Sequence, residues 1–309
     1  MLGAPTYMWV GFGVVVAAAI AVDLGVLHRK AHRISLREAL AESAGWIGLA
    51  LAFNIWVYFS MGHQAGLEFL TSYVVEKSLS IDNIFVFLLI FQGLAVPSQS
   101  QHKVLYYGVV GALVMRAIFV LAGVALLNRF HIVLFLFGAI LFLTAIRMVL
   151  PGAETIQPEQ NWLVNIVRRI VPVTRRYEGE HFYLRRAGNW IATPLFLALV
   201  AVEATDILFA VDSVPAVLAI TRDVFIAYSS NVFAILGLRA LYFALADVLP
   251  RFRFLRPGLA AILLFTGAKM LASDWIQVSI GVSLGVILCI VALMVGASVL
   301  WPLKRERGA

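Results

Sequence analysis

The sequence predicts an all-α, polytopic membrane protein of about nine transmembrane helices organised around an inverted 3+3 helix repeat. Three observations carry this expectation. Of the 309 residues, 62% are hydrophobic and only 13% charged, and a mean hydropathy of +0.93 is far above what a soluble domain sustains. Apolar stretches of about 20 residues, enough to cross roughly 30 Å of hydrocarbon, recur along the chain. The chain also matches itself, which divides it into two units of three stretches each.

The expected spans cover residues 7–27, 42–60, 67–94, 104–127, 131–150, 191–220, 226–248, 257–272 and 276–300. The first has no basic residue ahead of its apolar run and continues into Asp23 without a small-residue cleavage site, so it reads as a retained helix rather than a secretory signal. Cys289, the single cysteine, falls in the last span, which excludes an intrachain disulfide and a thiolate metal cage.

The formal net charge of +7 could suggest nucleic acid, but the basic residues are divided among five loops rather than gathered into one patch, so no nucleic-acid partner is expected. Of 24 lysines and arginines, 17 lie in segments that share one side of the nine-span arrangement: 29–37, Lys103, 168–186, 251–256 and 304–307. Only Arg129 and Arg222 lie on the other side. By the positive-inside rule the N-terminus is then outside and the C-terminus in the cytoplasm.

The repeat is visible residue by residue. AILFLTAIRMV at 139–149 matches AILLFTGAKML at 261–271, pairing Thr144 with Thr266 and Arg147 with Lys269. MRAIFVLAG at 115–123 resembles LRALYFALA at 238–246, pairing Arg116 with Arg239. EKSLSIDN at 76–83 lies over DILFAVDS at 206–213, pairing Glu76 with Asp206 and Asp82 with Asp212. An odd number of spans per unit forces the second copy to enter from the opposite side, the architecture of many secondary transporters. The chain thereby divides into 1–66, two N-terminal spans with a basic cytoplasmic loop; 67–150, the first unit; 151–190, a cytoplasmic linker with a short interfacial helix around Trp162 to Val171; 191–273, the inverted unit; and 274–309, the last span and a basic tail.

Chemistry enters with five carboxylates placed in apolar spans: Glu76 and Asp82 in the third, and Glu203, Asp206 and Asp212 in the sixth. A charge near the bilayer centre costs about 2.5–3.5 kcal/mol even on lenient scales, so these groups must face inward and be compensated by basic partners, protons or a bound cation. Lys77, Arg116 and Arg239 lie deep enough to serve but are fewer than the acids. Protons and a cation can compete for the remainder, which is proton coupling in outline. All six histidines lie in loops or at span ends, so the ligands within the membrane are oxygens: the carboxylates with Asn83, Thr205, Ser213 and backbone carbonyls, and Asp23 as either a ligand or a salt-bridge partner. Oxygen ligands suit Mg²⁺, Ca²⁺ or Mn²⁺ and argue against Zn²⁺, Cu⁺ or Ni²⁺, without deciding among the first three.

Spacing constrains the geometry. Glu203 and Asp206 share a helix face, whereas Glu76/Asp82 and Asp206/Asp212 are six apart, about 120° off one face. Pro215 removes a backbone donor, which predicts a kink or unwound turn beside Asp212. Arg147 and Lys269 are expected to snorkel from span ends, and Glu68, Asp247 and Asp274 to be solvated.

The motifs EKSLSIDN (76–83), VEATDILFAVDSVPA (202–216), SNVFAILGLRALYF (230–243) and HFYLRRAGNWIATPL (181–195) closely resemble the TerC/Alx family of bacterial membrane proteins. The resemblance runs over nearly the whole chain. It implies a nine-span protein of the inner membrane that exports Mn²⁺ in manganese homeostasis, with functional acids falling on Glu76, Asp82, Glu203, Asp206 and Asp212. A membrane scaffold that loads metal into exported metalloproteins would use the same site and is the alternative. An intramembrane aspartyl protease would carry a GxGD motif, which is absent, so neither an enzyme nor an organic cofactor is expected. Reporter fusions check the topology: those after Arg176 and Arg307 should read cytoplasmic and one after Gly62 periplasmic, and a periplasmic reading after Arg176 would remove the inverted repeat.

Overall fold

A computed structural model describes residues 4–22, 36–150, 172–174, 177, 179–186, 189–246 and 254–301, with the side chains of Leu36, Asp82, Arg186 and Asn189 outside the described set. Ten helices follow one another among these residues: α1 (Thr6–Val22), α2 (Leu36–Met61), α3 (His63–Gly93), α4 (Ser98–Arg129), α5 (Ile132–Val149), α6 (Pro194–Leu218), α7 (Val224–Leu236), α8 (Leu238–Leu245), α9 (Leu255–Leu271) and α10 (Ile280–Leu300). In hydrocarbon every backbone polar group needs an internal partner, and a helix supplies one within the segment itself. The protein is an all-α integral membrane protein in its spanning part, with one small hairpin outside it.

Among the described residues six apolar stretches are long and apolar enough to cross a membrane: Arg37–Met61, Ser98–Arg129, Ile132–Val149, Pro194–Leu218, Val224–Leu245 and Ile280–Leu300. The other three expected spans fall short for identifiable reasons. Glu76, Lys77 and Asp82 interrupt α3, while α1 and α9 have 17 described residues each. Asp23, Asp247 and the expected interfacial helix at 162–171 lie outside the described residues.

Helix boundaries follow local chemistry. Asp223 caps α7, its carboxylate accepting from the backbone N–H of Phe225 at 2.8 Å and of Ile226 at 3.2 Å, and Pro194 opens α6 where no backbone donor is needed. Gly62 turns the chain from α2 into α3 with φ of 96°, a conformation in which a Cβ would be strained.

The break expected beside Asp212 is not there. Because Pro215 stands in the last turn of α6, the helix runs unbroken through Asp212 to Leu218, and Ala219 donates to the Pro215 carbonyl at 2.9 Å. The interruption comes instead at Gly237, between α7 and α8. Lys77 of α3 reaches this point and donates to the Ala234 carbonyl at 3.2 Å, placing a cation at the C-terminal end of α7.

The linker also differs from a plain loop. Residues 183–192 form an antiparallel hairpin, β1 (Tyr183–Arg186) with β2 (Asn189–Ala192), pairing Arg185 with Trp190. Tyr177 donates to the Leu94 carbonyl and Lys103 to the Glu180 carbonyl, both at 2.6 Å, which ties the segment to the α3–α4 turn.

Packing sets a centre and a periphery. α7 and α8 are buried along most of their apolar length, whereas α2 and α10 are largely exposed, so α7 and α8 are the central helices and α2 and α10 the peripheral ones. Trp9, Phe12, Phe53, Phe69, Phe225 and Phe233 join α1 and α2 to this centre, with Phe53 and Phe233 rings 4.6 Å apart. Lipid tails are as apolar as leucine, so close backbone approach rather than water exclusion holds such helices together. At the α5–α9 crossing a Cβ on Gly267 would lie 2.8 Å from both the Gly138 carbonyl oxygen and the Phe142 nitrogen. Gly267→Val should therefore cost about 1–3 kcal/mol through overpacking, while Gly285→Val, with nothing within 4 Å, should stay near wild type. Melting of the detergent-solubilised protein measures the difference, and equal melting would show that the crossing has slack.

Candidate functional site

The polar centre is built around Arg116, which α4 places among α3, α6 and α7. Its side chain is 1% exposed. Nη1 donates to Glu76 in a short ion pair, to Ser213 Oγ at 2.5 Å and to Asn231 Oδ1 at 3.1 Å, while Nη2 donates to Asp206 Oδ1 at 3.5 Å. Glu76 and Asp206 are 1% and 3% exposed. The residues come from both sides of the linker: Glu76 and Arg116 precede it, and Asp206, Ser213 and Asn231 follow it.

Glycines let the elements come this close. A Cβ on Gly108 of α4 would stand 2.9 Å from Val202 Cγ1 of α6, and one on Gly111 would collide with the Glu203 carboxylate. Glu203, half-buried and one turn before Asp206, therefore lies against α4. A small cleft with room for about one water opens beside Asp206, lined also by Phe87, Gly108, Ala112, Leu238 and Arg239.

The cluster is not fully satisfied. Among the described residues Glu76 Oε2, Asp206 Oδ2, Arg116 Nε and Asn231 Nδ2 are buried without a hydrogen-bond partner. Such atoms in a low-dielectric interior cost of order 1–3 kcal/mol each, and orphan acceptors beside orphan donors mark a site that admits small polar species.

Asp212 stands elsewhere. Half-buried, it accepts from Thr144 Oγ1 at 2.9 Å, a contact between α6 and α5 that also joins the two sides of the linker. The two six-apart positions on α6 thus face different surroundings, as their 120° offset requires. The other expected residues divide. Ser213 is in the Arg116 cluster, whereas Thr205 donates at 2.8 Å to Val202 of its own helix. Asn83 is buried on α3, and Arg239 is 5% exposed and lines the Asp206 cleft. The side chain of Asp82 is outside the described set. Among the described residues no three of the His, Cys, Asp and Glu side chains converge into a ready metal cage, and a guanidinium stands between the Glu76 and Asp206 carboxylates.

Two site residues escaped the sequence reading. Asn231 and Thr144 are polar groups inside apolar stretches, and each has to find a partner there. That cost was the available signal. Two expectations at the edges also change: Glu68 accepts from Thr221 at 2.6 Å instead of being simply solvated, and Lys269 donates to Ser283 at 3.0 Å.

Comparison with known proteins adds the lineage. Residues 61–307 match the model of the integral membrane protein TerC family, which covers the whole cluster. The chain belongs to the TerC family. It is 46% identical to an uncharacterized membrane protein of Myxococcus xanthus, STKORF319, over 98% of this chain and 93% of that one. It is 42% identical to the putative membrane-bound redox modulator Alx of Escherichia coli K12, over 97% of each chain. A Rickettsia bellii membrane protein is 37% identical over 94% of this chain and 97% of its own. No solved structure matches the chain.

The site sets different costs for its acids. Glu76→Ala in this TerC-family chain strands a buried guanidinium and should lose about 3–5 kcal/mol, while Asp212→Asn keeps an oxygen for Thr144 and should stay within about 1 kcal/mol. Thermal melting in detergent ranks them, and an equal loss would mean that Asp212 is as tightly compensated as Glu76.

Proposed function

We propose that this TerC-family protein is a secondary transporter that exports a hard divalent cation, Mn²⁺ and in second place Ca²⁺, across the bacterial inner membrane in exchange for protons. Glu76, Asp206 and Asp212 carry the ion with Asp82, Glu203 and Asn83, and Ser213 and Thr205 add oxygens. The observation that carries the reading is the buried pair Glu76 and Asp206, one from each side of the linker, each with one carboxylate oxygen lacking a partner among the described residues. Charge of this kind in hydrocarbon is retained for function rather than for stability.

The reading takes the chain as nine spans, with 67–150 and 191–273 as inverted units around the midplane, the N-terminus outside and the C-terminus in the cytoplasm. Two contacts between residues before and after the linker, Arg116 to Asp206 and Thr144 to Asp212, support this reading. The interrupted helix at Gly237, with Lys77 at the break, is a feature of transporter cores. Alx carries a redox label, but a dithiol cycle within one chain needs two cysteines and this chain has one.

Net Mn²⁺ flux into or out of proteoliposomes tests the function, and a protein that binds Mn²⁺ without net flux would be the metal-loading scaffold instead. In cells, Asp82→Asn and Asp212→Asn should insert at normal levels while manganese export falls at least tenfold, a loss of about 1.4 kcal/mol or more. Intracellular manganese and membrane-fraction protein are measured together under manganese stress. Normal export by well-expressed variants would remove both residues from the ion path.

A further inference from the structure

We infer that Arg116 is a tethered cation: its guanidinium and the transported divalent ion are alternative occupants of the Glu76–Asp206 pair. The inference rests on the transport reading above and names the residue that sets its coupling.

The geometry supports an exchange rather than a fixed clamp. The atoms that accept from the guanidinium are on Glu76, Asp206, Ser213 and Asn231, and all are oxygens. This is the donor type that a hard divalent cation takes. If the guanidinium moves away, it leaves behind an oxygen nest from three helices rather than an apolar hole. The guanidinium also uses its surroundings incompletely. Among the described residues it engages one oxygen of each carboxylate, leaving Glu76 Oε2 and Asp206 Oδ2 unpartnered, and its own Nε has no acceptor. A fork that binds a carboxylate for stability alone favours the bidentate arrangement, which neither acid has here.

Arginine fits this role because it cannot shed its proton. A lysine in the same place could leave the carboxylates by turning neutral, whereas arginine leaves only by moving. A cleft with room for about one water lies on the side toward which helical side chains lean: Ala112 and Gly108, one and two turns before Arg116 on α4, both line it beside Asp206, so an incoming small species reaches the pair from there while the side chain has to repack to yield.

The consequence concerns the return step. Two bare carboxylates resist crossing between outward and inward arrangements, and a divalent ion neutralises them on the outward journey. After release, Arg116 re-enters the pair and supplies one positive charge without a second metal ion. Removing it leaves a protein that moves readily only when loaded.

The test uses full-length protein with MnCl2 as the probe, at alkaline pH where protons substitute poorly for the missing charge. Arg116→Gln should bind Mn²⁺ at least tenfold more tightly than wild type, and Mn²⁺ should raise its melting temperature more than that of wild type. In proteoliposomes its net Mn²⁺ efflux should fall at least tenfold while Mn²⁺/Mn²⁺ exchange stays within about threefold. Arg116→Lys, which keeps the charge but contacts fewer oxygens, should bind Mn²⁺ a few-fold more tightly and retain net efflux, and it serves if the glutamine variant does not fold. Unchanged Mn²⁺ affinity in whichever variant folds overturns the proposal, as does a parallel loss of net flux and exchange in Arg116→Gln. Wild-type protein that shows neither exchange nor net flux overturns the transport reading itself, a result separable from the behaviour of the variants.

Discussion

Arg116 cannot lose its charge, and a permanent charge in the middle of a helix bundle dictates what stands around it. Its partners lie on three other helices, α3, α6 and α7. Replacing any of these with an apolar surface would expose a guanidinium to hydrocarbon, which the general cost of buried charge forbids. The bundle is therefore organised from the inside. The buried position of α7, which carries Asn231, the glycines of α4 that admit Val202 and Glu203, and the inward direction of Glu76 together close oxygens around one cation.

Holding such a centre in lipid requires close contacts that are not driven by water. Glycines at the α5–α9 crossing and along α4 bring backbones together, and the aromatic group from α1, α2, α3 and α7 fixes the N-terminal helices against the centre. Lys77 connects the two themes. Adjacent to Glu76 in the chain, it points to the end of α7, so α3 delivers an anion to the Arg116 cluster and a cation to a helix terminus. The break at Gly237 is tolerated because its carbonyls face protein and a lysine rather than lipid.

Much of this was legible in the sequence because burial of charge in membranes is costly enough to mark residues singly. Apolar stretches located the helices to within about six residues: 131–150 stands against Ile132–Val149, but 104–127 against Ser98–Arg129 and 42–60 against Leu36–Met61. The in-membrane acids stood out in the same way, as did Arg116, and the structure gathers two of them, Glu76 and Asp206, around it. Grouping was harder to read. Nothing in spacing along one chain says that Arg116 stands between Glu76 and Asp206 while Asp212 turns to Thr144, since those choices are made by the packing of α4, α5 and α6. Pro215 misled for a positional reason: proline disrupts a helix interior, but in the last turn it removes a bond that was about to end. Gly237 was the true interruption, and glycine in an apolar run signals weakly. The hairpin at 183–192 was hidden in a linker whose basic residues suggested only solvation.

A transporter differs from a metalloprotein in needing to let go. An oxygen cage closed around Mn²⁺ by five carboxylates would bind tightly and release slowly, whereas conduction requires binding weak enough to leave. On the proposed reading the arrangement meets that demand by division. Asp212 is placed away from the central pair, so the acids do not converge on one ion, and the pair itself already holds a competing cation of its own. On that reading, the free energy with which Arg116 holds these oxygens is subtracted from the free energy with which the metal binds them, since both bind the same atoms. A buried pair is costly to open without a replacement, so on the proposed reading the guanidinium yields only to a cation that takes up the same oxygens.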